Sequence, residues 1–309
     1  MKNHYSILST QEDKLFAESI AKKLRKKLHL VNHRSFASGE PIAWPSQSVR
    51  GQYVFIVHQY NDDVCKEFMR MLTLIDGCKR ASAEKIILID PFFPFQRQDY
   101  RSEPRQGITA RVAAKMIDNS GASQLITFDM HSKQSEGFFD TPVINIGAST
   151  MFTEYLKNKI PTDNLFIASA DVGGVERAKK FADKLGVEFV LMHKVRSGPG
   201  KVEKVYLIGD VVGKNVMLVD DMTDSGNTIA RAAEKLYDDG AVSVSACITH
   251  LLHESKAAEC LGNSRLEKVF VTNSFTHETL PDNFEVLDLT DKLSEVIGDI
   301  INKRSAKIY

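Results

Sequence analysis

The sequence predicts an α/β protein of two similar domains, each a mainly parallel sheet flanked by helices. Three observations predict it. Short apolar runs alternate with amphipathic stretches along the chain, the pattern of strand–helix–strand units. That alternation runs twice, with a break near Asn145–Thr150. And 309 residues suffice for two separate cores. The expected boundaries are 1–145 and 146–309, with the last helix a candidate to pack back onto the first domain.

The elements follow from the periodicity. Strands are expected at Tyr53–His58, Lys85–Ile89, Gln124–Phe128, Leu165–Ala168, Phe189–Met192, Val205–Ile208, Val216–Val219 and Val242–Thr249. Helices are expected at Glu12–Leu28, Val64–Ala81, Ala110–Asn119, Ser149–Asn158, Gly174–Leu185, Ile229–Asp239 and Leu293–Lys303. Gly121, Gly186 and Gly240 follow three of these helices, where a left-handed cap favours glycine.

Bulk properties narrow the function. Lys plus Arg equals Asp plus Glu at 40 each, so no strongly basic surface for nucleic acid is expected. Four scattered cysteines, Cys65, Cys78, Cys247 and Cys260, form no Cys-x-x-Cys pair and read as reduced, mostly buried thiols. The N-terminus lacks a signal-peptide layout and no run is apolar enough to span a bilayer. A soluble cytoplasmic protein is the expectation.

Residues 216–229 carry the strongest chemical signal. An apolar strand is expected to end at two adjacent carboxylates, Asp220 and Asp221, with a helix opening near Ile229. Between them lie Asp224, Ser225, Gly226, Asn227 and Thr228. Loop N–H groups, two hydroxyls and a helix N-terminus together suit an anion. The carboxylates suit sugar hydroxyls, or a cation held through water. A phosphate at one end and a diol at the other describe a ribose phosphate. A bare Asp-Ser-Gly would be turn chemistry only; the full fourteen-residue pattern favours the site.

Other segments leave alternatives open. Asp171, after the strand at Leu165–Ala168 and before Gly173-Gly174, is a sugar or metal ligand, or simply a helix cap. His131 at a strand end is a metal ligand, a phosphate donor or a structural residue. Lys194 and Arg196 suit a polyphosphate clamp or a solvated basic turn, and 197–201 read as a mobile lid. The run Pro91–Arg101 offers aromatic surface for a purine and arginines for phosphates, or core aromatics before a charged loop. The segment Phe36–Glu40 reads only as a turn.

Together these segments resemble the ribose-phosphate diphosphokinases, or phosphoribosyl pyrophosphate synthetases. The resemblance spans nearly the whole chain, in order. It rests on Val219-Asp220-Asp221-Met222-Thr223-Asp224-Ser225-Gly226-Asn227-Thr228, on Asp171-Val172-Gly173-Gly174, on Asp129-Met130-His131 with Gln134 and Gly137–Asp140, and on Arg97-Gln98-Asp99. It implies two phosphoribosyltransferase-like domains. It also implies transfer of the β,γ-diphosphate of ATP to the anomeric hydroxyl of ribose 5-phosphate, releasing AMP, with Mg2+ as cofactor. By resemblance, Arg97 and Gln98 hold ATP, with Ser38, Gly39 and Glu40 reaching in from a neighbouring subunit of a homo-oligomer, a dimer or hexamer. His131 and Asp171 position magnesium, while Lys194 and Arg196 stabilise the moving diphosphate. Asp220 and Asp221 grip the ribose hydroxyls. Asp224 to Thr228 wrap the 5-phosphate, which Arg196 also contacts.

The chain departs from the family pattern at Ser38, where Asp or Asn usually precedes Gly-Glu, and at Val195, which replaces a middle cation. It departs again at Tyr100 and at Gln106-Gly107. Two other readings share parts of the pattern: a phosphoribosyltransferase, and a catalytically silent synthetase-like regulatory subunit. AMP formation that requires the sugar phosphate separates both from a synthetase.

Overall fold

Apolar runs of four to five residues, such as Val54–Val57 and Ile86–Ile89, are buried along their whole length, as strands covered on both faces must be. The computed structural model describes residues 5–61, 63–157, 159–196, 203–252, 254–277 and 279–306. The chain divides into two compact units, residues 1–146 with 288–309, and residues 147–287.

The first unit begins β1 (Tyr5–Ser9), α1 (Lys14–Lys23), β2 (Leu28–Leu30), β3 (Asn32–Ser35), β4 (Pro41–Trp44), β5 (Tyr53–Val57) and α2 (Val64–Arg80). It continues with β6 (Lys85–Ile89), α3 (Thr109–Ser120), β7 (Gln124–Phe128), a 3-10 turn at Lys133–Phe138 and β8 (Val143–Ile146). The second unit contains α4 (Ala148–Lys157), β9 (Leu165–Ser169), α5 (Val175–Leu185), β10 (Glu188–Arg196) and β11 (Glu203–Ile208). Then come β12 (Asn215–Thr223), α6 (Asn227–Asp238), β13 (Ser243–Leu251), α7 (Glu254–Gly262), β14 (Val269–Thr272) and β15 (Phe284–Leu287). The last helix, α8 (Thr290–Ile301), returns to the first unit. There Ser19 and Thr290 share a hydrogen bond of 2.9 Å, and Lys23 pairs with Asp291 at 2.7 Å.

The first sheet has the order β2-β1-β5-β6-β7-β8 and is parallel throughout, with β3 and β4 forming a separate antiparallel hairpin. The second has the order β11-β10-β9-β12-β13-β14-β15, antiparallel only between β10 and β11. Among the described residues, no helix is long and apolar enough to cross a membrane.

Several expectations change. The helix expected over 12–28 stops at Lys23, and Leu28 already lies in β2. Arg25 adopts a left-handed φ of 53°, while Lys26 N–H donates back to the carbonyl of Ala21 at 2.9 Å. This is a glycine-type helix stop made by an arginine. The strand expected to end at Val219 runs on to Thr223, so Asp220 and Asp221 lie inside β12 rather than ending it; β13 supplies partners as far as Leu251. The strand Phe189–Met192 extends to Arg196 because β11 pairs with it, Lys194 opposite Val205 and Arg196 opposite Glu203. Strands β1 to β4, β8, β14 and β15 and helix α7 were not expected. Most are short or amphipathically weak. Of the four cysteines, Cys78 and Cys247 are buried, Cys260 is half-buried and Cys65 is exposed.

Candidate active site

In the second unit, β9 and β12 lie side by side, with Val219 paired to Ser169. This register brings Asp171, just beyond β9, to the same sheet edge as Asp220 and Asp221. Parallel sheets of this kind bind ligands beyond their strand C-termini. Asp171 Oδ1 accepts the N–H of Gly174 at 3.0 Å, a cap-like bond at the start of α5 that leaves its second oxygen for other partners. The Ser169 hydroxyl donates to the Asp171 carbonyl. A Cβ on Gly174 would sit 2.6 Å from Ser169 Oγ, so a side chain in this tight strand-to-helix turn would displace the Ser169 hydroxyl.

Arg177, from the first turn of α5, reaches across to β12. Its Nη1 lies 3.4 Å from Asp220 Oδ1 and 3.3 Å from Asp221 Oδ1. Asp221 is buried, while the Asp220 side chain keeps 16% of its exposure. Burial, reinforced by the like charge of Asp221, holds the Asp220 carboxyl well above the usual carboxylate range; Arg177 opposes the rise and Asp171 adds to it. Arg177 thus lets two carboxylates share one edge. Sequence reasoning passed over it, because an arginine on an early helical turn looks like any solvated cation.

Beyond β12 the chain turns through Asp224 and Ser225 into α6. Gly226 caps the helix with a left-handed φ of 72°, and its N–H donates to Thr223 Oγ1 at 3.1 Å. A Cβ there would meet Leu261 Cγ at 3.0 Å and the carbonyl of Ala257 at 3.1 Å, so α7 packs directly behind the turn. Helix α6 is held by Ile229, Ala232, Ala233 and Leu236, a buried stripe at helical spacing. Asn227 and Thr228 therefore lie at a firmly seated helix N-terminus, where an anion is favoured. Lys194 and Arg196 are on β10, but their side chains lie outside the described residues, as does the lid expected over 197–201.

In the first unit, Ser38, Gly39 and Glu40 form the exposed tip of the β3–β4 hairpin, where the Ser38 hydroxyl donates to the Glu40 carboxylate. Gly39 takes a φ of 91°, and Phe36 and Glu40 close the turn by a backbone bond of 3.0 Å. Arg97 is exposed on the loop after β6. Gln98 braces that loop: its amide nitrogen donates to the carbonyl of Gly107, and its amide oxygen accepts the N–H of Thr109 at 2.7 Å. Phe92 and Phe93 are buried, so these aromatics belong to the core and do not offer the purine a surface.

His131 is exposed on the loop after β7, where three consecutive N–H groups are tied down. Asp129 donates to the carbonyl of Ile146 at 3.0 Å, Met130 to Asn145 Oδ1 at 3.2 Å and His131 to Gln96 Oε1 at 2.8 Å. Asp129 reaches this path through a positive φ of 34°.

The same sheet edge carries a buried polar row. Val57, Ile89 and Ile126 are register partners, so the next residues stand side by side: His58 and Asp90 just beyond β5 and β6, and Thr127 on β7. The Tyr60 hydroxyl donates to Asp90 Oδ2 at 3.1 Å, and His58 Nδ1 lies 3.5 Å from Asp13 Oδ2. Burial pushes the Asp90 carboxyl up to about 7, against the pull of His58. Burial opposes a proton on His58, but Asp13, with Asp90 and Glu67, raises its pKa.

Comparison with known proteins decides the family. Residues 5–121 match the N-terminal domain of ribose phosphate pyrophosphokinase, and residues 194–309 match the phosphoribosyl synthetase-associated domain. The ribose-phosphate pyrophosphokinase of Porphyromonas gingivalis is 35% identical over 98% of this chain and 97% of its own. The chain belongs to the ribose-phosphate pyrophosphokinase family. The Wolinella succinogenes member is 38% identical over 97% of both chains. The crystal structure of phosphoribosylpyrophosphate synthetase from Mycobacterium smegmatis superposes with a TM-score of 0.91 at 32% identity, covering 97% of this chain and 100% of that one. Membership in this family accords with the carboxylates gathered at the β9–β12 edge and the anion-suited turn into α6.

Proposed function

We propose that the chain is a ribose-phosphate pyrophosphokinase, transferring the β,γ-diphosphate of ATP to the anomeric hydroxyl of ribose 5-phosphate to give phosphoribosyl pyrophosphate and AMP. The observation that carries the reading is the β12–α6 turn: carboxylates at one end, a left-handed glycine cap and a helix N-terminus at the other. In the proposal, Asp220 and Asp221 accept from the ribose hydroxyls. Asp224, Ser225, Gly226, Asn227 and Thr228 enclose the 5-phosphate, with hydroxyls and N–H groups donating to its oxygens.

The nucleotide falls to Arg97 on the loop that Gln98 shapes, with Ser38, Gly39 and Glu40 of the hairpin tip contributed to a neighbouring subunit of a homo-oligomer, a dimer or hexamer. An exposed tip suits that donation. In-line attack on phosphorus needs alignment and charge compensation more than covalent help. Lys194 and Arg196 are assigned the negative charge that develops on the diphosphate, Arg196 also meeting ribose 5-phosphate.

Magnesium is the proposed cofactor. Among the described residues, no group of three or more His, Cys, Asp or Glu is disposed to hold a metal ion. Asp171, a carboxylate with one uncapped oxygen, suits an ion that keeps most of its waters and binds chiefly through substrate phosphates. His131 and Asp171 are the residues assigned to it; when bound, it screens the phosphate charges that would otherwise repel the attacking sugar. The cytoplasm is the proposed location.

The test incubates the protein with ATP, magnesium and ribose 5-phosphate and measures AMP. AMP that depends on the sugar phosphate supports the reading. A protein that binds both substrates yet forms none rejects it in favour of a silent subunit.

A further inference from the structure

We infer that Gln96 is a positioning residue for His131, the strut by which the Arg97 loop sets the main chain of the magnesium-assigned histidine. The inference rests on the reading of His131 as a magnesium ligand and goes beyond it by naming what fixes that residue.

Gln96 immediately precedes Arg97, yet its side chain is 1% exposed while Arg97 is at the surface. The preceding residue, Phe95, takes a left-handed φ of 61° and packs edge-on against Phe68, ring centroids 5.4 Å apart. That kink turns Gln96 inward, toward β7. Its Oε1 accepts the N–H of His131 at 2.8 Å, well within the normal range for such a bond. Its Nε2 is buried and, among the described residues, without a hydrogen-bond partner. A buried amide with one donor unmatched is costly to keep, so shape-filling alone is a poor reason for glutamine here. The bond to His131 is a better one. The N–H groups of Asp129 and Met130 are anchored within their own sheet edge, by Ile146 and Asn145. The N–H of His131 is anchored by the loop that carries Arg97. The two segments then move as one: displacement of the Arg97 loop displaces His131.

Two variants separate this role from plain packing. Gln96→Met keeps the volume and removes the acceptor. Gln96→Glu keeps a carbonyl acceptor, since burial favours the neutral form of the introduced carboxyl. Hydrogen exchange of the His131 amide reads the contact directly, without reference to activity. For Gln96→Met the expected result is exchange about tenfold faster. The magnesium concentration for half-maximal AMP formation should rise several-fold, with the KM for ribose 5-phosphate unchanged. Gln96→Glu should restore both. The proposal is overturned if the His131 amide of the unmodified protein exchanges like an unprotected one, or if Gln96→Met leaves exchange and magnesium requirement as they were. Should Gln96→Met fail to fold, protection in both the unmodified protein and Gln96→Glu supports the strut, and loss of it in either overturns it. Absence of sugar-dependent AMP in the unmodified protein would instead sink the functional reading, while the exchange measurement still reports on the strut.

Discussion

Replacing Asp90 by asparagine tests the buried polar row through its pH dependence. Asp90 is fully buried, at 0% exposure, one residue before the loop that carries Arg97. Burial moves its carboxyl from 3.8 to about 7. The folded chain therefore holds a proton that the unfolded chain releases. The stability this contributes is fully present below the unfolded value and is lost as pH rises through about 7. At about 1.4 kcal/mol for each pH unit between the two values, the whole effect is about 4 kcal/mol. Between about pH 5.5 and about pH 8.5, where only the part up to the folded value remains, the expected loss is about 2 kcal/mol. The groups facing Asp90 are His58 and Tyr60, both just beyond β5, and Asp13 before α1; Glu67 of α2 faces His58 and Tyr60. His58, raised by its acidic neighbours, adds a loss of the same sign in both proteins. Urea unfolding of the two proteins across that range, followed by hydrogen exchange of the β6 amides so that the first unit is read by itself, should show Asp90→Asn gaining about 2 kcal/mol on the unmodified chain from the acid to the alkaline end. A difference that stays constant across the range would refute the reasoning.

Four further outcomes are expected. Asp220→Asn should raise the apparent KM for ribose 5-phosphate, and Arg177→Met should move the pH dependence of that binding to higher pH, since Arg177 opposes the rise of the Asp220 carboxyl; steady-state kinetics altered only toward ATP would contradict both. Gly226→Ala should destabilise by about 1–3 kcal/mol, because a φ of 72° is combined with contacts near 3.0 Å, and calorimetry should show weakened uptake of ribose 5-phosphate; a variant with native melting and binding would remove the turn from the site. Lys194→Ala should lower turnover far more than ribose 5-phosphate affinity, and an unchanged turnover would reject its role.

Much of the second unit was legible because its signals are local. The apolar run before Asp220, the Asp-Ser-Gly turn and the stripe Ile229, Ala232, Ala233 and Leu236 all lie within about twenty residues, each enforced by neighbours in sequence. What escaped depends on distant partners. The reach of β12 to Thr223 is set by β13, and that of β10 to Arg196 by β11. The end of α1 was missed because Arg25 takes a conformation that usually marks glycine. Arg177 and Gln96 are ordinary in sequence. They acquire meaning only when α5 stands beside β12, and when the loop after β6 folds against the loop after β7. The row His58, Asp90 and Thr127 is likewise a product of register, assembled from three strands that each look apolar. Phe92 and Phe93 show the converse: composition left them open as a purine surface, and burial assigns them to the core, with Tyr100 of the same run exposed.

The most direct measurement follows the phosphorus atoms of ATP by 31P NMR while the protein acts on ribose 5-phosphate with magnesium. The β and γ signals should move together into a sugar-linked diphosphate as AMP appears. Movement of the γ signal alone, with ADP appearing, or a spectrum in which the diphosphate never leaves the nucleotide would contradict the assignment.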